Sequence, residues 1–251
     1  MITNQNNIYI DKNNNLITVN DNEIENLLEK GYLRINFLFQ KSIKNSFLDD
    51  LFNQGKVIEP FRFLIIQLEK LSQDNIFAII HSIEELCEKI ETILINDHLV
   101  IFYFDKYFFD FKDILDPITD DLAFDFKIFE GCKITSRDDF LTLIRLYISY
   151  LGKSFYRYSS ISDLVLKVYE NNPLKIKELK HIILADTIED QQLITIIKSL
   201  FENNLNITQS SQVVYMHRNT INNKLDMIKR LTGLNIQNFK EAVAMYLLLN
   251  A

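Results

Sequence analysis

The sequence predicts an α+β chain: an α/β domain first, an all-α domain after it. Three observations carry this. Between Phe61 and Tyr150, apolar runs of strand length alternate with amphipathic helical stretches. From Ser160 onward only the helical period remains. And 5 Gly and 3 Pro in 251 residues leave little material for long irregular loops.

The chain opens with IYI and LITV flanking Lys12, Asn13, Asn14 and Asn15 within Asn7 to Asn20, a short hairpin pattern. Asp21 or Asn22 can cap a helix from about Glu23 to Glu29, which Gly31 ends. A second helix is expected from Arg34 to Phe52, rich in Phe37, Leu38, Phe47, Leu48, Leu51 and Phe52, with Gly55 closing it. Phe61 to Leu68 reads as a strand. Ser72 to about Lys89 reads as a helix, with Ile76, Ile79, Ile80, Ile83, Leu86 and Cys87 on one face. Thr92 to Ile95 and Leu99 to Phe104 flank Asn96-Asp97-His98, a hairpin signal. Phe108 to Leu115 looks helical, and Ala123 to Phe129 alternates as a strand does. Ser136 caps a helix through Tyr150, with Asp138 and Asp139 near its positive end. The order β-α-β-β-α-β-α is that of a ferredoxin-like or nucleotide-cyclase-like sheet.

In the helical half, Ser162 is expected to cap Asp163 to Tyr169, and Pro173 to open a further helix. Thr187 or Asp190 begins a long helix through Phe201, stopped by Asn203-Asn204. The last helix runs from Asn238 to Leu249, with Asn238 and Glu241 suited to a capping-box variant. Its apolar character marks it as core or as a subunit contact.

Leu205 to Leu234 is the most informative stretch. Asn206 or Thr208 can cap a short helix through Gln209, Ser210 and Ser211 to about Val213, and the two serines allow close approach of a neighbour. Val214, Tyr215 and Met216 make a turn. His217, Asn219 or Thr220 then starts a second helix, whose Ile221, Leu225 and Ile228 form one buried stripe. Its other face carries Arg218, Asn219, Asn222, Asn223 and Asp226. Asn and Arg can make bidentate contacts to adenine and guanine edges in the major groove. Gly233, after Lys229 and Arg230, is a helix stop. Two such helices around a tight turn read as a helix-turn-helix; the bland alternative is an ordinary amphipathic pair.

MHRNTINNKLDMIKRLTGL resembles the C-terminal helix-turn-helix of the purine-catabolism and sugar-diacid regulators, the PucR/CdaR family. The matching residues are Val214, Met216, His217, Asn219, Thr220, Ile221, Leu225 and Ile228, then Thr232, Gly233 and Leu234. Ser210 and Ser211 stand where the family has alanines, Asn223 where it has tyrosine and Lys224 where it has arginine. The last two lie on or beside the reading face. The resemblance extends, more loosely, to a degenerate nucleotide-cyclase-like (GGDEF-like) domain: PFRFLIIQLEK as first strand, TILINDHLVIFYF as central hairpin. It covers about Phe47 to Asn250. The family's larger N-terminal sensor has no counterpart in residues 1–32.

The resemblance implies a sequence-specific, DNA-binding transcriptional regulator acting on duplex DNA. A single helix-turn-helix buries little surface and specific affinity usually comes from two half-sites, so a homodimer is expected. The resemblance also implies four segments: an N-terminal hairpin and helices (1–55), the GGDEF-like α/β domain (56–158), a helical linker (159–186) and the reader (187–251). Arg218, Asn219, Asn222 and Asn223 are the expected base or near-base contacts. Thr220, Lys224 and Lys229 are expected at phosphates, and His217 as helix cap or backbone contact. An unidentified small-molecule or protein effector fits this picture. No catalytic residue, cofactor or metal is expected. Two other readings stand beside it: a protein-interaction module that no longer binds DNA, and a nucleotide-processing enzyme.

Composition bears on these. The net charge of −7 speaks against a protein that coats nucleic acid. Yet Glu202 to Leu234 holds Arg218, Lys224, Lys229 and Arg230 against Glu202 and Asp226, a small basic island suited to local docking. No Gly-rich phosphate loop occurs. Asn96-Asp97-His98 occupies the hairpin tip where a cyclase carries its glycines, so Asp97 reads as a turn former. Glu69 and Asp105 follow strands but have no third metal ligand. The acids from Asp110 through Asp113, Asp116, Asp120 and Asp121 to Asp125 match no EF-hand spacing and read as a solvated face. Cys87 and Cys132 are far apart, and His81, His98, His181 and His217 are scattered. With no signal peptide and no apolar run of membrane length, the chain is expected in a bacterial cytoplasm and not at a membrane.

Overall fold

The computed structural model describes residues 7–19, 26–38, 46–68, 72–104, 111–112, 124–153 and 156–251. Its eight strands form one sheet, in the order β2-β1-β3-β5-β6-β4-β7-β8. They are β1 (Ile8–Ile10), β2 (Leu16–Thr18), β3 (Leu33–Asn36), β4 (Arg62–Leu68), β5 (Ile90–Ile95), β6 (His98–Tyr103), β7 (Phe126–Glu130) and β8 (Tyr158–Ser160). The helices are α1 (Phe47–Phe52), α2 (Gln73–Glu84), α3 (Arg137–Tyr150), α4 (Ile161–Asn171), α5 (Ile176–Ile188), α6 (Gln191–Glu202), α7 (Ile207–Val213), α8 (Arg218–Thr232) and α9 (Phe239–Leu249). The chain divides into two compact units. One comprises Met1–Glu130, Ile134–Arg145 and Phe155–Tyr158; the other comprises Gly131–Lys133, Leu146–Ser154 and Ser159–Ala251.

In the first unit β4 lies between β6 and β7, antiparallel to both. Because β6 sits between β4 and β5, the connection β4-α2-β5 is a split β-α-β. The side-chain alternation of β4 gives each face of the sheet its own core. Leu64 and Ile66 pack with Leu99, Ile101, Ile128 and the α2 residues Ile76, Ile79 and Ile83. On the other face the rings of Phe61, Phe63, Phe102 and Phe140 meet mostly edge to face, with centroids 5.2 to 5.6 Å apart. The N-terminal hairpin forms as the sequence suggests, with Ile8 opposite Thr18. Its turn is held by α3. Arg145 donates to the Asp11 carbonyl at 2.6 Å and to Asn14 Oδ1 at 3.0 Å, and Arg137 donates to the Asn14 carbonyl.

Several expectations need correction. The predicted helix Arg34 to Phe52 is not one helix. Leu33–Asn36 is β3, paired with β1 and β5, and among the described residues of that span the helix is Phe47–Phe52, capped by Ser46. Leu33 and Ile35 are buried while Arg34 and Asn36 are partly exposed, so a period of two governs there. The helix after Ser72 ends at Glu84, which frees Ile90 to start β5. The strand placed from Ala123 begins at Phe126. β8 was not foreseen; Ile128 N donates to the Arg157 carbonyl at 2.8 Å just before it. The cap of α4 is Ser160, not Ser162, because the Ser160 N–H bonds Asp163 in a capping box, which starts the helix earlier. Asn238 caps α9 without accepting a side-chain bond. Instead Glu241 reaches back to the Asn235 N–H at 2.6 Å and to the Asn238 amide at 2.9 Å. The helix expected from Glu23 to Glu29 is not borne out where it is described: Asn26 to Glu29 form turns, with Asn26 in a left-handed conformation at φ 68°. Its first residues, most of Phe108 to Leu115, and Glu69, Asp105, Asp110, Asp113, Asp116, Asp120 and Asp121 lie outside the described residues. Asp125 pairs with Arg157 at 3.0 Å.

In the second unit α5 packs against α8, and α9 against α4 and α5. Leu164, Val165, Val168, Leu179, Leu184, Ala244, Met245 and Leu248 are buried there. Lys180 donates to the carbonyls of Leu249 and Ala251 at 3.1 and 2.9 Å, satisfying acceptors that the end of α9 leaves open. Among the described residues no helix is long and apolar enough to cross a membrane.

Candidate nucleic-acid interface

α6 is the support for the reader. Asp190 accepts from the N–H groups of Gln192 and Leu193 at 2.9 and 3.3 Å, which fixes its start. Leu193, Ile196, Ile197 and Leu200 are buried. Asn204 and Leu205 turn the chain through left-handed conformations, φ 52° and 61°. Asn206 then caps α7 by accepting from Gln209 N at 3.1 Å. Ser210 explains why this helix carries small residues: it is fully buried, and its hydroxyl donates to the Ser199 carbonyl of α6 at 3.2 Å. A larger side chain would hold the two helices apart.

The turn is Val214 to His217, with Met216 N donating to Ser211 O at 2.9 Å. Tyr215 takes φ 53° and is 95% exposed. Sequence reasoning gave it no such position; apolar neighbours on both sides disguised it. His217 caps α8. Its Nδ1 accepts from the Asn219 N–H at 3.2 Å, and its carbonyl accepts from Thr220 and Ile221. Ile221, Leu225 and Ile228 are buried as the spacing predicts. Gly233 ends the helix at φ 74°, its N–H bonded to the Lys229 carbonyl. Thr232 is buried too; its hydroxyl donates to Ile228 O and accepts from Leu234 N, closing the corner.

The outward face of α8 follows from that buried stripe. Arg218, Asn219, Thr220, Asn222, Asn223 and Asp226 are exposed, as is His217 before them. The two lysines differ. Lys229 is half-buried. The Lys224 side chain is 24% exposed and lies 3.7 Å from Asp190, the cap of α6. One carboxylate thus starts the support helix and holds a cation of the reading helix, a double use that spacing alone does not reveal. The acidic counterpart on α8, Asp226, offers its carbonyl to Arg230 Nε at 3.4 Å.

The other place weighed for chemistry is the β5–β6 tip. Asn96 and Asp97 adopt φ 48° and 65°, a left-handed pair suited to a tight hairpin. Arg34 of β3 pairs with Asp97, and its N–H donates to Asn96 Oδ1 at 2.7 Å. His98 donates from Nδ1 to the Asn96 carbonyl at 2.9 Å, and burial pushes its imidazole below its ordinary pKa. Asp97 is therefore occupied as a turn residue. Cys87 and Cys132 are both buried. No group of three His, Cys, Asp or Glu gathers to hold a metal among the described residues.

Residues 193–251, from α6 to the end, match the model of the PucR C-terminal helix-turn-helix domain. Over 80 residues the chain is 29% identical to an uncharacterized protein, YsfB, of Bacillus subtilis strain 168. That match covers 32% of this chain and 22% of YsfB, so the chain spans about a fifth of that relative's length. The crystal structure of a regulator of polyketide synthase expression from Bifidobacterium adolescentis is similar at 10% identity and a TM-score of 0.37, covering 76% of this chain and 79% of that one.

Proposed function

We propose that this chain is a sequence-specific DNA-binding transcriptional regulator of the PucR/CdaR type, acting as a homodimer on duplex DNA in the cytoplasm. One observation carries the reading: the PucR-type helix-turn-helix match coincides with α6 to α9, where α8 buries one stripe and exposes an Asn- and Arg-rich face. Arg218, Asn219, Asn222 and Asn223 read base edges, a role supported by their exposure on one side of α8. Thr220 and Lys229 are the phosphate contacts, with Lys224 sharing its charge between Asp190 and DNA. The sheet unit is a degenerate GGDEF-like domain; its split β-α-β order supports that kinship. It turns over no nucleotide, a reading supported by the engagement of Asp97 with Arg34. Residues 159–186 join this unit to the reader at 187–251, and an effector acts through the parts before it.

The test is mobility of the pure protein on duplex DNA across a salt series, followed by genome-wide mapping of bound DNA. Binding that weakens steeply with salt and maps to discrete sites supports the reading. Absence of binding even at low salt overturns it. The Lys224–Asp190 pair favours one competitor, an interaction module that has lost DNA, because it draws a cation off the reading face. Protein that ignores DNA but is retained by a partner regulator would establish that alternative.

A further inference from the structure

The bond between Asn219 N–H and His217 Nδ1 has a chemical consequence. A ring nitrogen that accepts a hydrogen bond carries a lone pair, so in the neutral imidazole the proton sits on Nε2. The ring is thereby held in one tautomer and one orientation by the helix that it caps. His217 is exposed. Its Nε2–H is then a donor at the start of α8, with Arg218, Asn219 and Thr220 exposed beside it.

Resting on the proposed DNA reading, we infer that His217 does two jobs at once: Nδ1 caps the reading helix, and Nε2–H donates to a DNA phosphate oxygen. The second contact is sequence-independent, and it sets the depth and register at which Asn219, Asn222 and Asn223 meet the bases. A cap of Ser, Asp or Asn would start α8 equally well. None of these reaches as far, and Asp would repel the phosphate. A histidine at this cap answers both demands. Protonation would oppose the first job, since both ring nitrogens would then donate and Nδ1 could no longer accept from Asn219.

The geometry separates the two jobs by substitution. His217→Asn places an acceptor where Nδ1 was and keeps the cap. His217→Gln places an amide donor where Nε2 was and loses the cap. The probe is a short mixed-sequence duplex, because the contact reads no base. His217→Asn should keep the wild-type melting temperature and bind this duplex about tenfold more weakly. Its salt slope should be unchanged, because a neutral donor displaces no counterion. His217→Gln should melt lower yet retain more of the affinity. Nitrogen-15 NMR of the free protein should show Nε2 protonated and Nδ1 bare. If wild-type protein binds the duplex and His217→Asn binds it equally well, the phosphate role is wrong while the DNA reading survives. If NMR shows the proton on Nδ1, the tautomer argument is wrong. If the wild-type protein binds no duplex at all, the DNA reading itself fails first.

Discussion

Gly233 stops α8 in a left-handed turn at φ 74°. A Cβ there would meet Ile161 Cγ1 at 3.6 Å and the Cys132 Cα at 3.7 Å, ordinary contact distances. The cost of Gly233→Ala is therefore conformational, about 1 kcal/mol, and denaturant unfolding should read that loss with DNA contacts unchanged. On the reading face, Asn222→Ala and Asn223→Ala should each cost about 1–3 kcal/mol at one base and relax specificity there. Neither should shift the unfolding midpoint, because both side chains are exposed. Binding isotherms on cognate and scrambled duplexes decide this; wild-type affinity in both mutants would mean that α8 meets the groove another way. His98 brings a pH dependence. Burial is the main cause that lowers its pKa, opposed by the hydrogen bond to Asn96 and by the Asp97 charge. The unfolded chain then binds the proton more readily than the native one. Stability should fall as pH drops through the ordinary value of 6.5 toward the depressed native value. Urea midpoints on either side of that pH should differ less in His98→Asn than in wild type.

At the scale of elements, what could be read from sequence was local. α8 was legible because its cap, stripe and stop lie within Met216 to Gly233, and each works through neighbours a turn away. The β5–β6 hairpin was legible for the same reason. β3 was not, because its partners are β1 and β5, and the Ile35–Ile95 pairing spans sixty residues of chain. The dense Phe and Leu content after it points to a helix and outweighs the short alternation of Leu33 and Ile35. The Asp190–Lys224 pair lay hidden because it joins two helices across the intervening turn. The exposure of the site residues follows from a stripe that sequence did reveal, and that stripe is open to test. Ile221 is fully buried, so Ile221→Ala should cost about 2–5 kcal/mol. Loss of helical signal at lower denaturant would register it. Unchanged stability would mean that α8 does not pack through this stripe.

At the scale of the whole molecule, charge is unevenly shared. Residues 159–251 carry ten Lys and Arg against nine Asp and Glu, while residues 1–158 carry seventeen against twenty-five. Acidity is thus concentrated in the part of the sequence before the reader; on the proposed DNA reading this limits indiscriminate binding without opposing local docking. One reading helix with few cations gains limited affinity from a single half-site, and two half-sites about 34 Å apart remedy that. α9 offers the means. Its Phe239 is 81% exposed, and its half-exposed Tyr246 meets the ring of Phe201 of α6 edge to face, centroids 5.6 Å apart, so the helix presents apolar surface to solvent. We expect a homodimer joined there. Light scattering at tens of micromolar should give twice the chain mass of 29.7 kDa. Phe239→Ser with Tyr246→Ser should lower that mass toward one chain and weaken operator binding, while the buried Met245 and Leu248 keep α9 in place. A wild-type monomer that still binds its operator tightly would remove the dimer from the account. A mutant that stays dimeric would move the interface to another face.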